Sequence, residues 1–162
     1  MKKLLPLIVV VLAISFSAPA AYSQMAMKAG ETKTQAAKPE QKSLYERLGG
    51  YDALAAVTDD FIVRLAKSKI LGRFLSGLGE DSQKKLRQHF VDFLCNATGG
   101  PCLYLGRDMK TTHKGLGINE KDWAEGVKLL GETLDHFKVP AQEKGEVVAA
   151  VASLKKDIVE KP

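Results

Sequence analysis

Two of the three histidines in this 162-residue chain have sequence surroundings in which histidine can bind a metal. His113 lies in the segment 104–117, soon after a Gly-Gly-Pro break at 99–101. His89 lies within an amphipathic helical pattern, at a position where an apolar residue would be expected. Imidazole is a good ligand for iron. Two histidines directed into one apolar pocket would therefore indicate a buried iron centre.

Helical patterns dominate the part of the chain that leads to His89. Ser43 and Glu46 have the spacing of a capping box that opens a short helix. The apolar face predicted for the second helix consists of Leu54, Val57, Phe61, Ile62 and Leu65. The stripe predicted for a third helix, from about 81 to 98, consists of Leu86, His89, Phe90, Phe93, Leu94 and Ala97. Because no strand pattern, repeat or phosphate-binding glycine motif is present, the sequence predicts an all-α fold.

The second half of the chain continues the helical pattern. A short helix is expected from Met109 to Leu116, and Asn119 is expected to cap a long helix. The apolar face of that long helix is Trp123, Val127, Leu130, Leu134 and Phe137. Pro140 opens a last helix whose buried side is Val147, Val151, Leu154 and Ile158. The connection that carries His113 is long for a helical bundle, and long loops in compact domains are usually functional.

The first residues have the pattern of a signal peptide, to which we assign residues 1–23. Lys2 and Lys3 precede an apolar run over 4–16, and small residues for cleavage follow it. This pattern predicts export to the bacterial periplasm. The alternative is an uncleaved leader, which would be the only membrane attachment, but the apolar run is short for a membrane span. Residues 24–42 are expected to form a disordered linker, and 43–162 a single domain.

The net charge of +5 belongs mostly to the leader and the linker. Residues 1–42 hold six Lys and two Glu, whereas the remainder holds 18 basic and 17 acidic residues. Nucleic-acid binding domains usually carry a basic face within the folded domain. The sequence therefore does not favour a nucleic-acid partner.

The two cysteines, Cys95 and Cys102, are a candidate disulfide in an exported protein. The alternative is two separate thiols. No histidine directly follows Cys102, so the pair does not match the motif that attaches a c-type haem. No second Cys/His pair lies at the spacing of a zinc site either.

At these residues the chain resembles the group I truncated haemoglobins. The matching stretches, which span nearly all of 43–162, are 44–50 (Leu-Tyr-Glu-Arg-Leu-Gly-Gly), Asp60-Phe61, Gly99-Gly100-Pro101, Tyr104-x-Gly106, Met109-Lys110-x-x-His113 and Val139-Pro140. The resemblance implies two helices stacked on two, enclosing one haem b per chain. It also implies that His113 is the proximal ligand of the iron.

The resemblance further implies a set of side chains around the haem. The apolar walls would be Phe61, Ile62, Phe74, Leu86, Phe90, Phe93 and Met109; the alternative is ordinary core packing. Arg107, Lys110 and Lys114 could meet the haem propionates as charge-assisted donors. Each of these cations has a solvated surface charge as its alternative, and Lys110 has the strongest match.

The distal side departs from the family pattern. Many group I members place a Tyr where this chain has Ile62, and a Gln is common where it has Phe90. Leu86 and Leu75 likewise stand where relatives can carry a polar and an aromatic residue, so the polar groups that retain oxygen are largely missing. His89 matches a histidine that binds iron in some cyanobacterial members, which implies a six-coordinate resting state, His113–Fe–His89. The alternative is a His89 that reaches a propionate or solvent.

A haem-binding globin of this kind could have three functions, and a fourth function requires no haem. The first is reversible binding of oxygen, nitric oxide or carbon monoxide, for gas storage, transport or sensing. The second is an enzyme that converts nitric oxide and oxygen to nitrate or reduces peroxide, which Ile62 and Phe90 disfavour because neither offers a hydrogen bond. The third is periplasmic electron transfer with an electron-donor protein, which His89 favours. The fourth is a haem-free helical interaction module.

Overall fold

The computed structural model describes residues 41–161, whose regular secondary structure is helical. The elements are α1 (Leu44–Arg47), α2 (Gly50–Lys67), a 3-10 turn (Gly72–Phe74), α3 (Glu80–Ala97), α4 (Met109–His113), α5 (Glu120–His136), α6 (Ala141–Ala152) and α7 (Lys155–Ile158). The all-α prediction is confirmed. The expected signal peptide and nearly all of the expected linker lie outside the described residues. Within 41–161, no helix has the length and apolar character needed to cross a membrane.

The helices form two packed pairs. Helix α2 packs against α3, α5 packs against α6, and the pairs meet where α2 packs against α5. Helix α1 contacts both α2 and α6. This is the predicted arrangement of two helices stacked on two.

The core lies between the two pairs. Its centre is a cluster of Val57, Leu130, Leu134 and Val147, all of them buried. Burying each such side chain stabilises the fold by about 1.5–3 kcal/mol. An apolar cavity of about 110 Å³ lies beside this cluster and is also lined by Leu94 of α3.

The predicted helix starts are confirmed by their hydrogen bonds. The Ser43 side chain accepts from the Glu46 amide, and the Glu46 carboxylate accepts in turn from the Ser43 amide. Asn119 and Asp122 form the same reciprocal pair at the start of α5. Each such cap satisfies amide groups that a helix leaves unpaired at its first turn.

Two predicted helices are shorter than expected. Helix α4 ends at His113 rather than Leu116, because Lys114 has a non-helical ψ of 127° and Gly115 has a φ of +85°. The last helix is divided into α6 and α7. At the break, the Ser153 hydroxyl donates to the Ala150 carbonyl oxygen at 2.7 Å, and local bonds of this kind compete with the helical pattern.

The sequence did not identify the side of α3 that faces the core. The buried residues of α3 are Val91 and Cys95, which lie on a different side of the helix from the predicted stripe. His89 and Ala97 of the stripe are exposed and its other members are half-buried. Phe137, the C-cap residue of α5, is more exposed than predicted, at 39%. Periodicity identifies an apolar face, but it does not say what covers that face.

The predicted pairing of the cysteines is present in the structure. The sulfur atoms of Cys95 and Cys102 are 1.97 Å apart. A Cβ on Gly100 would lie 2.5 Å from the ring of Tyr45 and 2.7 Å from Cys95 Sγ. Only glycine fits in this space, which explains the glycine at position 100 beside the bridge.

An ion pair between an exposed arginine and a buried carboxylate joins α5 to the 3-10 turn. Asp122 is 3% exposed, accepts from the Asn119 amide at 3.0 Å and pairs with Arg73 at 2.7 Å. The Arg73 guanidinium in turn lies 4.3 Å from the ring centroid of Phe74. Burial alone would raise the pKa of Asp122, but the hydrogen bonds from Asn119 and Arg73 outweigh burial and lower that pKa. The pair therefore helps to place Phe74.

Replacing Asp122 by alanine should lower the free energy of unfolding at pH 7 by about 1–3 kcal/mol, because a cap and a charged hydrogen bond are lost. Urea unfolding monitored by circular dichroism measures this change. Asp135→Ala is the matched control, since its exposed pair with Lys144 is worth less than about 1 kcal/mol.

The effect of Asp122→Ala should depend on pH. Because folding lowers the pKa of Asp122, its contribution is fully present above the unfolded value of about 3.9 and is lost as the pH falls through the folded value. The two proteins should thus approach each other in stability at acid pH. An unfolding free-energy difference that stays constant into strong acid would contradict this role.

Candidate functional site

The imidazole of His113 is oriented by its own helix. His113 is the last residue of α4 and is half-buried, and its Nδ1 lies 2.8 Å from the carbonyl oxygen of Met109. A carbonyl oxygen can only accept, so Nδ1 carries the hydrogen and donates it. The lone pair of Nε2 is therefore available to a ligand.

Helix α4 is five residues long and depends on its caps, because isolated helices of this length are not stable. Asp108 accepts at its start from the Thr111 amide at 2.8 Å and from the Thr111 hydroxyl at 2.7 Å. These bonds, the amide first, hold the pKa of Asp108 below its usual range. The cap thus fixes the helix from which His113 projects.

Tyr104 connects α3 to the chain that enters α4. Its ring packs edge-to-face on His89 and Phe93, with centroid distances of 6.1 and 5.4 Å. Burial raises the pKa of Tyr104, so the phenol stays protonated and donates to the Arg107 carbonyl oxygen at 2.8 Å. The Thr112 hydroxyl donates to the same oxygen at 3.2 Å. Tyr104 therefore links α3 to the backbone that leads into α4.

The Tyr-x-Gly motif follows from the position of this ring. A Cβ on Gly106 would lie 2.3 Å from the ring of Tyr104, so a side chain at that position would displace it. Sequence reasoning used Tyr104 only as part of the resemblance and gave it no role. The sequence feature that could have indicated a role for Tyr104 is its spacing from Gly106.

The side chains predicted to form apolar walls share one property, which is half-burial. The set comprises Phe61, Ile62, Phe74, Leu86, Phe90, Phe93 and Met109. The rings of Phe61 on α2 and Phe90 on α3 meet edge-to-face at 6.0 Å. Helix α4 packs mainly against α7. Half-buried apolar walls of this kind suit a flat apolar group.

The polar members of the predicted site are exposed. His89 is exposed on α3, with Tyr104 against its ring. Arg107 precedes α4 and Lys110 lies on it; both are exposed, and neither forms an ion pair within residues 41–161. Both cations are therefore accessible to an anionic group at the edge of the site.

Sequence reasoning missed one residue beside the site. The Glu160 carboxylate accepts from the amides of Gly115 and Gly117, both at 2.6 Å, directly after His113. The only signal in the sequence was the pair of glycines, and nothing in it connected them to a residue more than 40 positions away.

Comparison with known proteins gives a consistent family. The family model described as "Bacterial-like globin" matches residues 43–160. The group 1 truncated hemoglobin GlbN of Mycolicibacterium paratuberculosis is 33% identical over 121 residues, which cover 75% of this chain and 87% of the relative. The GlbN of a Nostoc species is 31% identical, over 74% of this chain and 98% of the relative.

Solved structures agree with the sequence matches. The 2/2 hemoglobin of Synechococcus sp. PCC 7002, in the cyanomet state and with covalently attached heme, has a TM-score of 0.66 and 27% identity over 73% of this chain and 98% of its own. A point mutant of the truncated hemoglobin of Tetrahymena pyriformis, in the Fe(III) form, has a TM-score of 0.67 and 25% identity with the same coverage of both chains.

An imidazole whose Nε2 is free, together with a set of half-buried apolar side chains, is what a haem-binding globin needs. The family model covers most of the chain, and the sequence and fold relatives agree with it. The chain therefore belongs to the bacterial-like globins and, within them, to the group 1 truncated haemoglobins.

Proposed function

We propose that this globin holds one haem b per chain through Nε2 of His113 and reversibly binds oxygen or another diatomic gas. The observation that carries the proposal is the hydrogen bond from His113 Nδ1 to the Met109 carbonyl oxygen, at 2.8 Å. Such a bond fixes the ring and its tautomer and makes the other nitrogen a better ligand. The haem would supply a coordination position for the gas, and carbon monoxide and nitric oxide are further ligands of the same kind.

The residues present fit a haem. The ring pair of Phe61 and Phe90 supplies an apolar wall between α2 and α3. Phe74, held under the Arg73 guanidinium, and Met109 at the start of α4 extend the apolar surface. Lys110 is exposed one residue after Met109, so it can meet a propionate from the solvent side.

His89 is proposed as a sixth ligand that a gas displaces. Its ring is exposed, and no hydrogen bond within residues 41–161 holds it. A ligand that a gas displaces must be able to move away from the iron, which a side chain packed in the core cannot do. Because His89 is exposed, its side chain meets this requirement. When His89 is not bound to the iron, its ring would pack edge-to-face on Tyr104.

The distal side chains distinguish among the functions. Ile62 and Phe90 have no hydrogen-bond donor in their side chains, so they do not prolong the retention of oxygen. This disfavours the nitric oxide dioxygenase and peroxidase alternatives. Electron transfer is the second candidate, because two histidine ligands would keep the iron similarly coordinated in both redox states. Exposed Arg107 and Lys110 would then suit an acidic electron-donor protein.

Export to the periplasm completes the proposal. The signal-peptide pattern of residues 1–23 supports it, and so does the pairing of Cys95 with Cys102, since disulfides persist in oxidising compartments. We propose that the bridge forms in the mature protein and ties the end of α3 to the chain just before Tyr104.

Replacing His113 by glycine should increase the rate of haem loss by about 100-fold or more, because even residues that only support a metal ligand change affinity by about 10- to 100-fold. Added imidazole should restore the absorption spectrum, since it can occupy the space left by the side chain. The rate is measured by haem transfer to an excess of a haem-free acceptor. The control is His136→Ala, an exposed histidine whose ring contacts Phe137. Equal haem loss in the two variants would contradict the assignment of His113.

Replacing His89 by alanine should convert the ferric spectrum from a low-spin to a high-spin form and speed carbon monoxide binding by about tenfold or more, because the competing state is removed. Flash photolysis measures the rate. The control is Gln88→Ala, which alters the adjacent exposed position of α3. An unchanged spectrum and rate would leave His89 without a role as ligand.

Protein recovered from the periplasm should begin after the leader and show no thiol that reacts in denaturant. Denaturant is needed because Cys95 is fully buried. The bridge should contribute about 2.5 kcal/mol to the free energy of unfolding, from the closure of a short loop. Urea unfolding with and without reductant measures this contribution, and the reduced sample should show both thiols. Two reactive thiols before reduction would count against the bridge.

A further inference from the structure

The turn that follows His113 binds a carboxylate from a distant part of the chain. Gly115 and Gly117 have φ values of +85° and +65°, and their amides donate to Oε1 and Oε2 of Glu160, each at 2.6 Å. Amides in such a left-handed turn form a concave site for an anion. The two bonds hold the pKa of Glu160 below its usual range, with Lys161 and Lys114 acting in the same direction.

Backbone bonds reinforce this contact. The amides of Glu160 and Lys161 both donate to the carbonyl oxygen of Ile118, at 2.9 and 3.1 Å. Ile118 is 8% exposed, so this strand-like contact has an anchor in the protein interior. We call the Glu160 carboxylate and these four hydrogen bonds the Glu160 clamp.

The Glu160 clamp acts at the end of α4 that lacks a cap of its own. The start of α4 is fixed by Asp108, but its last residue is His113 and its C-cap residue, Lys114, is already extended. The Leu116 amide donates to the His113 carbonyl oxygen at 3.1 Å, so a movement of the turn would move the backbone of His113. Helix α7, which precedes Glu160, is also the main packing partner of α4.

We infer that Glu160 is a positioning residue for the proximal histidine: by holding the 115–117 turn, it fixes the backbone of His113 and so the direction and strength of the His113–iron bond. This inference rests on the proposed role of His113. Glu160 is 47 residues from His113 in sequence, and within residues 41–161 it forms no hydrogen bond with the imidazole. Its effect on the iron would be transmitted through the turn.

Glu160→Gln tests the inference, because an amide can accept from only one of the two glycine amides and has lost the charge. In the haem-free protein, Gly115 and Gly117 should lose protection from hydrogen exchange by about tenfold, as expected for loss of one charge-assisted hydrogen bond. In the haem protein, haem loss should be about tenfold faster, and the iron–histidine stretching band of the ferrous form in resonance Raman spectra should shift to lower frequency.

Two further variants make the result specific. Glu120→Gln removes an exposed ion pair, Lys155–Glu120 at 2.7 Å, between α5 and α7, and should leave the stretching band unchanged. Glu160→Asp keeps the charge on a shorter side chain and should fall between the native protein and Glu160→Gln in both measurements.

The outcomes separate the two proposals. Glu160→Gln could deprotect the two glycines and still match Glu120→Gln in its rate of haem loss and its stretching band. That result would show a purely structural contact and would overturn the inference. Unchanged protection of both glycines would overturn it as well. If His113→Gly showed that His113 does not bind iron, the proposed function would fail, whereas hydrogen exchange in the haem-free protein would still report whether Glu160 holds the turn.

Discussion

The hydrogen bond from His113 Nδ1 to the Met109 carbonyl oxygen fixes the orientation of the imidazole and leaves Nε2 free, and it spans a single turn of α4. A bond this local keeps a fixed direction only if the helix that contains it is fixed. Helix α4 is too short for that by itself, so it is held from outside by the Asp108 cap at one end and the Glu160 clamp at the other. The position of this short helix therefore depends on residues outside it.

The support on the α3 side passes through Tyr104. Its ring rests on Phe93, and its hydroxyl binds the backbone just before α4. Cys95, fully buried in α3, is bridged to Cys102 only two residues before Tyr104. The core, the bridge and the aromatic contact thus form a continuous connection between α3 and the segment that carries His113.

Much of the fold could be predicted because it is encoded locally. The caps at Ser43 and Asn119 depend on side chains that reach only a few residues, and the structure shows both. The side of α3 that faces the core could not be predicted, for the opposite reason. An apolar stripe that borders a ligand site and one that packs against a helix have the same periodicity, and only the position of the neighbouring helices shows that Val91 and Cys95 face the core.

The sequence by itself determined the helical elements and the family, and it singled out His113, because the motif around His113 and the glycine breaks lie within short stretches. The tertiary structure alone decided which surfaces are buried, how Tyr104 joins α3 to α4, and that Glu160 lies against the turn after His113. These contacts join residues far apart in the chain, and their existence depends on how the helix pairs stack. No spacing rule along a single sequence contains that information.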